Sequence, residues 1–248
     1  LEARERWNEA FPENPVELDP PIYPAFLDLG MFVIGTTRFF TILGGEPELA
    51  TALMDKCMEL SASYAEFTRT LSPASDRPPD LIGFGGDACC LLSPTLYERY
   101  GIGFDLRLLE YIRDTFRVPD DFPCNLHSCG PSEHLYESWG RHPNRENVTV
   151  MQTRLLPGTV GKLRRCLPET QLELTFHPQH FDFAEKSPEE VERVVWESAR
   201  EAGFDKVSLT VIVSAHEAAD IPKIETNLRV CYDAVNEMNR RLEAGSLP

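Results

Sequence analysis

The chain has 248 residues, 42% of them hydrophobic, and a formal net charge of -16. That length suits one large domain or two small ones, and α/β barrels reach it as a single domain. The acidity argues against a nucleic-acid or anionic-membrane surface, because the longest basic runs are only Arg164-Arg165 and Arg240-Arg241.

No apolar run approaches about 18 residues and no charged-then-apolar segment opens the chain, so no membrane association is expected and the expected location is cytoplasmic. Seven cysteines, an odd number without small-domain spacing, are expected as thiols rather than a disulfide framework. The chain begins with Leu1 rather than methionine, which leaves open that an upstream part was removed, split off or left out.

Residues 1–30, rich in proline and acids, are expected as an irregular lead-in with one short helix. "MFVIGTT" (31–37) predicts a buried strand, and the helix after it carries Leu49, Leu53 and Cys57 on one stripe. "DLIGFGGD" (80–87) predicts a second strand, followed by helix on either side of the glycines in "SPTLYERYGIGFDLRLLEYIRDTF". "FPCNLHSCG" predicts a third strand with "PSEHLYESWG" as its helix, and "NVTVMQTRL" (147–155) a fourth with a short helix over about 158–166. "QLELTFHP" (171–178) predicts the fifth. Its helix has the plainest signals: Ser187 as cap, Pro188 in the first turn, Glu190 completing a capping box, a stripe of Val191, Val194, Val195 and Ala199, and Gly203 as the stop. "DKVSLTVIV" (205–213) predicts the sixth strand, before a last helix from about 222 to 243.

Six strand-then-helix units imply parallel strands buried on both faces, in an open doubly wound sheet or a barrel. The open sheet would advertise a glycine fingerprint after its first strand, and "GFGGDA" is too weak to be one. In a barrel the chemistry gathers at the C-terminal strand ends. The unusual residues fall there: Thr36-Thr37-Arg38, Asp87, His127, Cys129, Gln152, His177 and His216. Six units are two short of a (β/α)8 barrel.

"NLHSCG" (125–130) carries the plainest chemistry. On a strand His127 and Cys129 share a face while Leu126 and Ser128 take the other, and an imidazole and a thiol aimed at one place suggest a metal. The alternative is a buried histidine beside a small hydrophobic cysteine, since zinc needs three or four ligands and only two are local.

"FVIGTTRFFTILGGEPELATALMDKC", "GGDACCLLSPTLYERY", "LHSCG", "SPEEVERVVWESAREAGFDK" and "IETNLRVCYDAV", in that order over about 210 residues, resemble the uroporphyrinogen decarboxylase-like superfamily. "LHSCG" is written as in its branch of zinc-dependent corrinoid and thiol methyltransferases. The resemblance implies a TIM barrel, of which residues 31–248 would be a single domain holding strands three to eight, without the first two strand-helix units. Either the chain is a piece, or a second chain or homodimer completes the barrel, or the protein does without them.

The resemblance also implies His127 and Cys129 as zinc ligands. The branch's third ligand, a cysteine after strand eight, has no counterpart in "VIVSAHEAAD", where His216 is the expected substitute, with Glu217 and Cys89 or Cys90 as alternatives. Asp87 and His177 are the candidate catalytic residues and Arg38 and Gln152 the candidate substrate contacts; helix capping, surface ion pairing and packing are the competing roles.

The implied activity is zinc-dependent transfer of a methyl group between a corrinoid and a thiol or similar acceptor, as a methyltransferase or demethylase component. A partner protein would carry the corrinoid, since no Asp-x-His-x-x-Gly segment is present. A metal-independent decarboxylase and a non-catalytic barrel subunit are the alternatives.

Overall fold

The computed structural model describes residues 2–13, 25–69, 82–215 and 217–247. Four helices precede the first strand: α1 (Glu2–Ala10), α2 (Phe26–Ile34), α3 (Thr36–Gly45) and α4 (Pro47–Arg69). Then come β1 (Ile82–Gly85), α5 (Pro94–Leu96), α6 (Ile102–Phe116), β2 (Cys124–Ser128), α7 (Tyr136–Gly140), β3 (Val148–Arg154), α8 (Val160–Cys166), β4 (Gln171–Phe176), α9 (Pro188–Ala202), β5 (Val207–Val211) and α10 (Ile221–Glu243).

The five strands form one sheet in the order β1-β2-β3-β4-β5. Each strand lies beside the next in sequence, without the reversal of order that a doubly wound sheet has at its switch point. β3 and β4 pair in parallel, as do β4 and β5, with Gln152 opposite Glu173 and Glu173 opposite Ser208. Parallel neighbours need crossover connections, and the intervening helices provide them. The architecture is mixed α/β and consistent with a partial α/β barrel.

The chain divides into two compact units, residues 1–86 with 95–124, and residues 87–94 with 125–248. In the first, residues 31–37 are helical rather than the expected strand. "FLDLGMFVI" has enough β-branched and aromatic residues to pass for a strand, but Phe26, Leu27 and Gly30 are its buried positions, at one and four residues' spacing, while Phe32 is 85% exposed. Packing of a helical stripe overrides local strand preference. Gly35, at φ +83°, separates α2 from α3.

Phe26 stacks on Phe104 and meets Phe39 edge-on, which ties α2, α3 and α6 together. α4 buries Ala50, Cys57, Met58 and Ser61; Leu49, expected on that stripe, is exposed. The segment from Pro94 to Phe116, expected as helix on either side of its glycines, is helical throughout and passes through a π-helical segment at Tyr97–Gly101. Among the described residues no single helix is long and apolar enough to cross a membrane; α2 and α3 reach that length and composition only jointly, across a 118° bend.

In the second unit β4 alternates strictly. Leu172, Leu174 and Phe176 are buried, and Gln171, Glu173 and Thr175 are only partly so. The sheet therefore has an apolar face under the helices and a polar, half-open face, instead of the two buried faces expected of parallel strands. α9 seals the apolar side with Val191, Val194, Val195 and Ala199, as its sequence predicts. Each such valine contributes about 1.5–3 kcal/mol relative to exposure. Ser187 caps the helix, its Oγ accepting from the Glu190 amide at 3.3 Å, Pro188 occupies the first turn and Gly203 ends it at φ +83°. Glu190's carboxylate does not complete a capping box but pairs with Lys186 at 2.8 Å. α9 packs against α8 and α10. Phe176, Phe181 and Phe183 form an aromatic cluster at the end of β4.

Arg164, half of one of the two basic pairs, is a structural clamp. Its guanidinium donates to the carbonyls of Leu167, Pro168, Thr170, Ala202 and Lys206, joining the end of α8 to the chain entering β4 and β5.

Candidate metal centre

Every residue of the candidate centre belongs to the second unit. β2 alternates as its sequence predicts: Leu126 and Ser128 are buried, His127 is partly exposed, and Cys129 follows just beyond the strand. The turn after it is fixed by Ser132, whose hydroxyl donates to the Gly130 carbonyl at 3.1 Å and meets the Ser128 hydroxyl. Gly130 cannot carry a side chain here, because a Cβ would lie 2.0 Å from Cys90 Sγ. Asp87 arrives from "GFGGD", in which Gly85 and Gly86 adopt φ of +83° and +121°, values open to glycine and strained for other residues.

These elements bring three potential ligands together. The Nε2 of His127 lies 2.9 Å from Asp87 Oδ1 and 3.0 Å from Cys129 Sγ, and the Cys129 amide donates to the same Asp87 oxygen at 3.3 Å. The ligand atoms of Asp87, His127 and Cys129 all lie within 4.8 Å of one another. Partial burial by itself would raise the Asp87 carboxyl, but hydrogen bonds from Cys129 and His127, with the His127 charge, outweigh it and hold the group below the ordinary carboxylate value. The anion that a cation needs is thus favoured.

Gln152 sets the orientation of the ring. Its Oε1 lies 2.6 Å from His127 Nδ1, and since an amide oxygen only accepts, Nδ1 carries the proton. Nε2 is then either a second N–H donor to Asp87 or a free lone pair beside a carboxylate and a thiol. The second state is an N, O, S donor set suited to zinc, with three protein ligands leaving a coordination position open. Holding the far ring nitrogen is how outer-shell groups fix a metal-binding histidine.

The other sequence candidates are placed as follows. Gln152, expected to touch substrate, lines the pocket and also supports His127. Asp87, expected to be catalytic, stands among the potential ligands. His216 lies outside the described residues. Cys89 is fully buried, and Cys90 bonds to the Asp87 carbonyl at 3.2 Å against Gly130; neither belongs to the three-ligand group. Glu217 caps the turn before α10, where its amide is bonded by Asp220 at 3.0 Å. Arg38, expected to close a strand, lies on the exposed side of α3 in the first unit, because that strand is helical.

His177 follows β4 and lines, with His127, Cys129, Gln152 and Arg154, a pocket of about 170 Å³. Partial burial, then the charges of Arg154 and His180, lower its pKa below the ordinary imidazole value, and its Nδ1 accepts from the Gln179 amide at 3.3 Å. Arg154 was not singled out in the sequence. Its signal was present all the same: two residues beyond Gln152 at the end of a strand, it must share Gln152's face.

Comparison of the chain with protein-family models and with curated protein sequences gave no match. The superfamily resemblance therefore rests on the motifs themselves.

Proposed function

We propose that the chain is a cytoplasmic enzyme of the uroporphyrinogen decarboxylase-like superfamily, a partial or partner-completed TIM barrel. In this proposal it catalyses zinc-dependent methyl transfer between a corrinoid carried by a partner protein and a thiol or similar acceptor. The observation that carries the proposal is the convergence of Asp87, His127 and Cys129 on one point beside a pocket. Zinc, when bound, would keep an acceptor thiol deprotonated at neutral pH.

The chain's own residues have definite tasks in this scheme. Asp87, His127 and Cys129 would hold the ion, and Gln152 would keep His127 in the tautomer that presents Nε2. His177, with its lowered pKa, would stand uncharged in the pocket at neutral pH, able to accept a proton there. In this scheme Asp87 would stand in the place of the branch's third cysteine as a harder oxygen ligand.

The test is zinc content of protein purified without chelator, for the parent and for Asp87→Ala, His127→Ala and Cys129→Ser. About one zinc per chain, lost in each variant, is expected; a zinc-free parent overturns the proposal. Zinc-loaded parent should also demethylate methylcobalamin in the presence of a thiol, followed by the corrinoid spectrum, and the three variants should not.

A further inference from the structure

Arg154 is 8% exposed, at the end of β3, and lines the same pocket as His127, Cys129 and His177. Its Nη1 donates to Gln179 Oε1 at 3.0 Å, and its buried Nε makes no hydrogen bond among the described residues. No carboxylate pairs with it among those residues. Arginine keeps its charge at any physiological pH, and a buried charge without a counter-charge is costly unless something neutralises it. In a chain carrying 40 acidic residues against 24 basic ones, a buried guanidinium in no ion pair among the described residues is a specific arrangement.

We propose that Arg154 is the anion-binding residue of this pocket and anchors a small carboxylate ligand there. The planar guanidinium edge matches a carboxylate, and the hydroxyls of Thr175 and Thr210, on the aligned positions of β4 and β5, can donate to the same group. At the Arg154 side of the pocket, burial and then the charge of Arg154 lower the pKa of the lining His177 and of its neighbour His180, so Arg154 is the fixed charge there. The volume sets the size. At about 30 Å³ per water, some 170 Å³ holds the equivalent of five or six waters, which suits a carboxylate of three or four carbons. The ligand's role as a substrate rests on the methyl-transfer proposal, whereas its binding needs only Arg154.

The probes are malonate, its neutral counterpart malonamide, and inorganic phosphate, titrated calorimetrically into chelator-treated parent, Arg154→Met and Arg154→Lys. Saturable malonate binding is expected, weakened at least tenfold in Arg154→Met, partly restored in Arg154→Lys and absent for malonamide. Ligand-free Arg154→Met should melt no lower than the parent, since it removes an uncompensated charge.

Equal binding of malonamide, undiminished binding by Arg154→Met, or no saturable binding by the parent overturns the proposal. Tighter binding of phosphate than of malonate overturns the carboxylate assignment, and a lower melting temperature in Arg154→Met makes the residue a structural one. Zinc content measured on the same proteins purified without chelator, before that treatment, separates the two proposals. Malonate binding without zinc binding leaves Arg154 its role and removes the metal, and zinc binding without malonate binding does the reverse.

Discussion

Asp105 offers a test of the structure that is independent of any activity. It lies in α6, 3% exposed; its Oδ1 accepts from the Gly85 amide at 3.4 Å and its Oδ2 has no partner among the described residues. Burial, opposed by that single amide, pushes the carboxyl from its ordinary 3.8 up to about 8. A folded-state pKa above the unfolded one means that the folded chain retains a proton the unfolded chain gives up. The associated stability is fully present below about pH 4 and drains away as pH rises towards 8, at about 1.4 kcal/mol per pH unit. At pH 7 the loss is on the order of 4 kcal/mol, a large part of the roughly 5–15 kcal/mol that holds an ordinary domain together.

Asp105→Asn keeps the acceptor for Gly85 and cannot ionise. Urea unfolding of parent and variant from pH 4 to pH 9 should give equal stabilities near pH 4. The gap should then widen in favour of the variant, by as much as about 4 kcal/mol at pH 7, and level off above pH 8. A gap that is constant with pH would show that Asp105 titrates like an exposed carboxylate and would refute its burial.

Gln152→Leu removes the acceptor that fixes His127 while leaving all three potential ligands in place. Zinc affinity measured against a competing chelator should fall about 10- to 100-fold, and an unchanged affinity would mean Gln152 does not orient the ring. Gly130→Ala should destabilise the chain by about 1–3 kcal/mol through overpacking, because the new Cβ would lie 2.0 Å from Cys90 Sγ and 2.5 Å from its Cβ. Adding Cys90→Gly should restore most of the loss in thermal melts, whereas a Gly130→Ala variant as stable as the parent would refute the close approach.

The elements legible in the sequence were those whose pattern has one solution. α9 announced its cap, its stripe and its stop, and it is where "SPEEVERVVWESAREAG" puts it, because capping and side-chain periodicity act within a few residues. β2 through β5 were legible for the same reason. The segment at 31–37 was not: a short apolar run with β-branched residues fits a buried strand or a buried helix equally well, and the choice fell to the packing of Phe26 and Phe39 with Phe104.

In the candidate centre, His127 and Cys129 were legible because the two-residue period of a strand puts them on one face. Asp87 was visible only as an unusual residue at a strand end, since no local rule spans the 40 residues that separate it from His127. Gln152 and Arg154 could be assigned to a common face but not to roles. Gln152 turns to the imidazole because β3 lies beside β2, and Arg154 is left without a described carboxylate by the arrangement of β3 and β4.

The sequence by itself determined an α/β chain, the parallel strands with their helices, and one strand carrying an imidazole and a thiol on the same face, since propensity, capping and side-chain alternation are short-range. Only the tertiary structure decided that Asp87 joins that pair, that Gln152 orients the ring and that a buried guanidinium lines the pocket beside them. Those facts depend on which strand end lies next to which, and that follows from packing across the whole sheet.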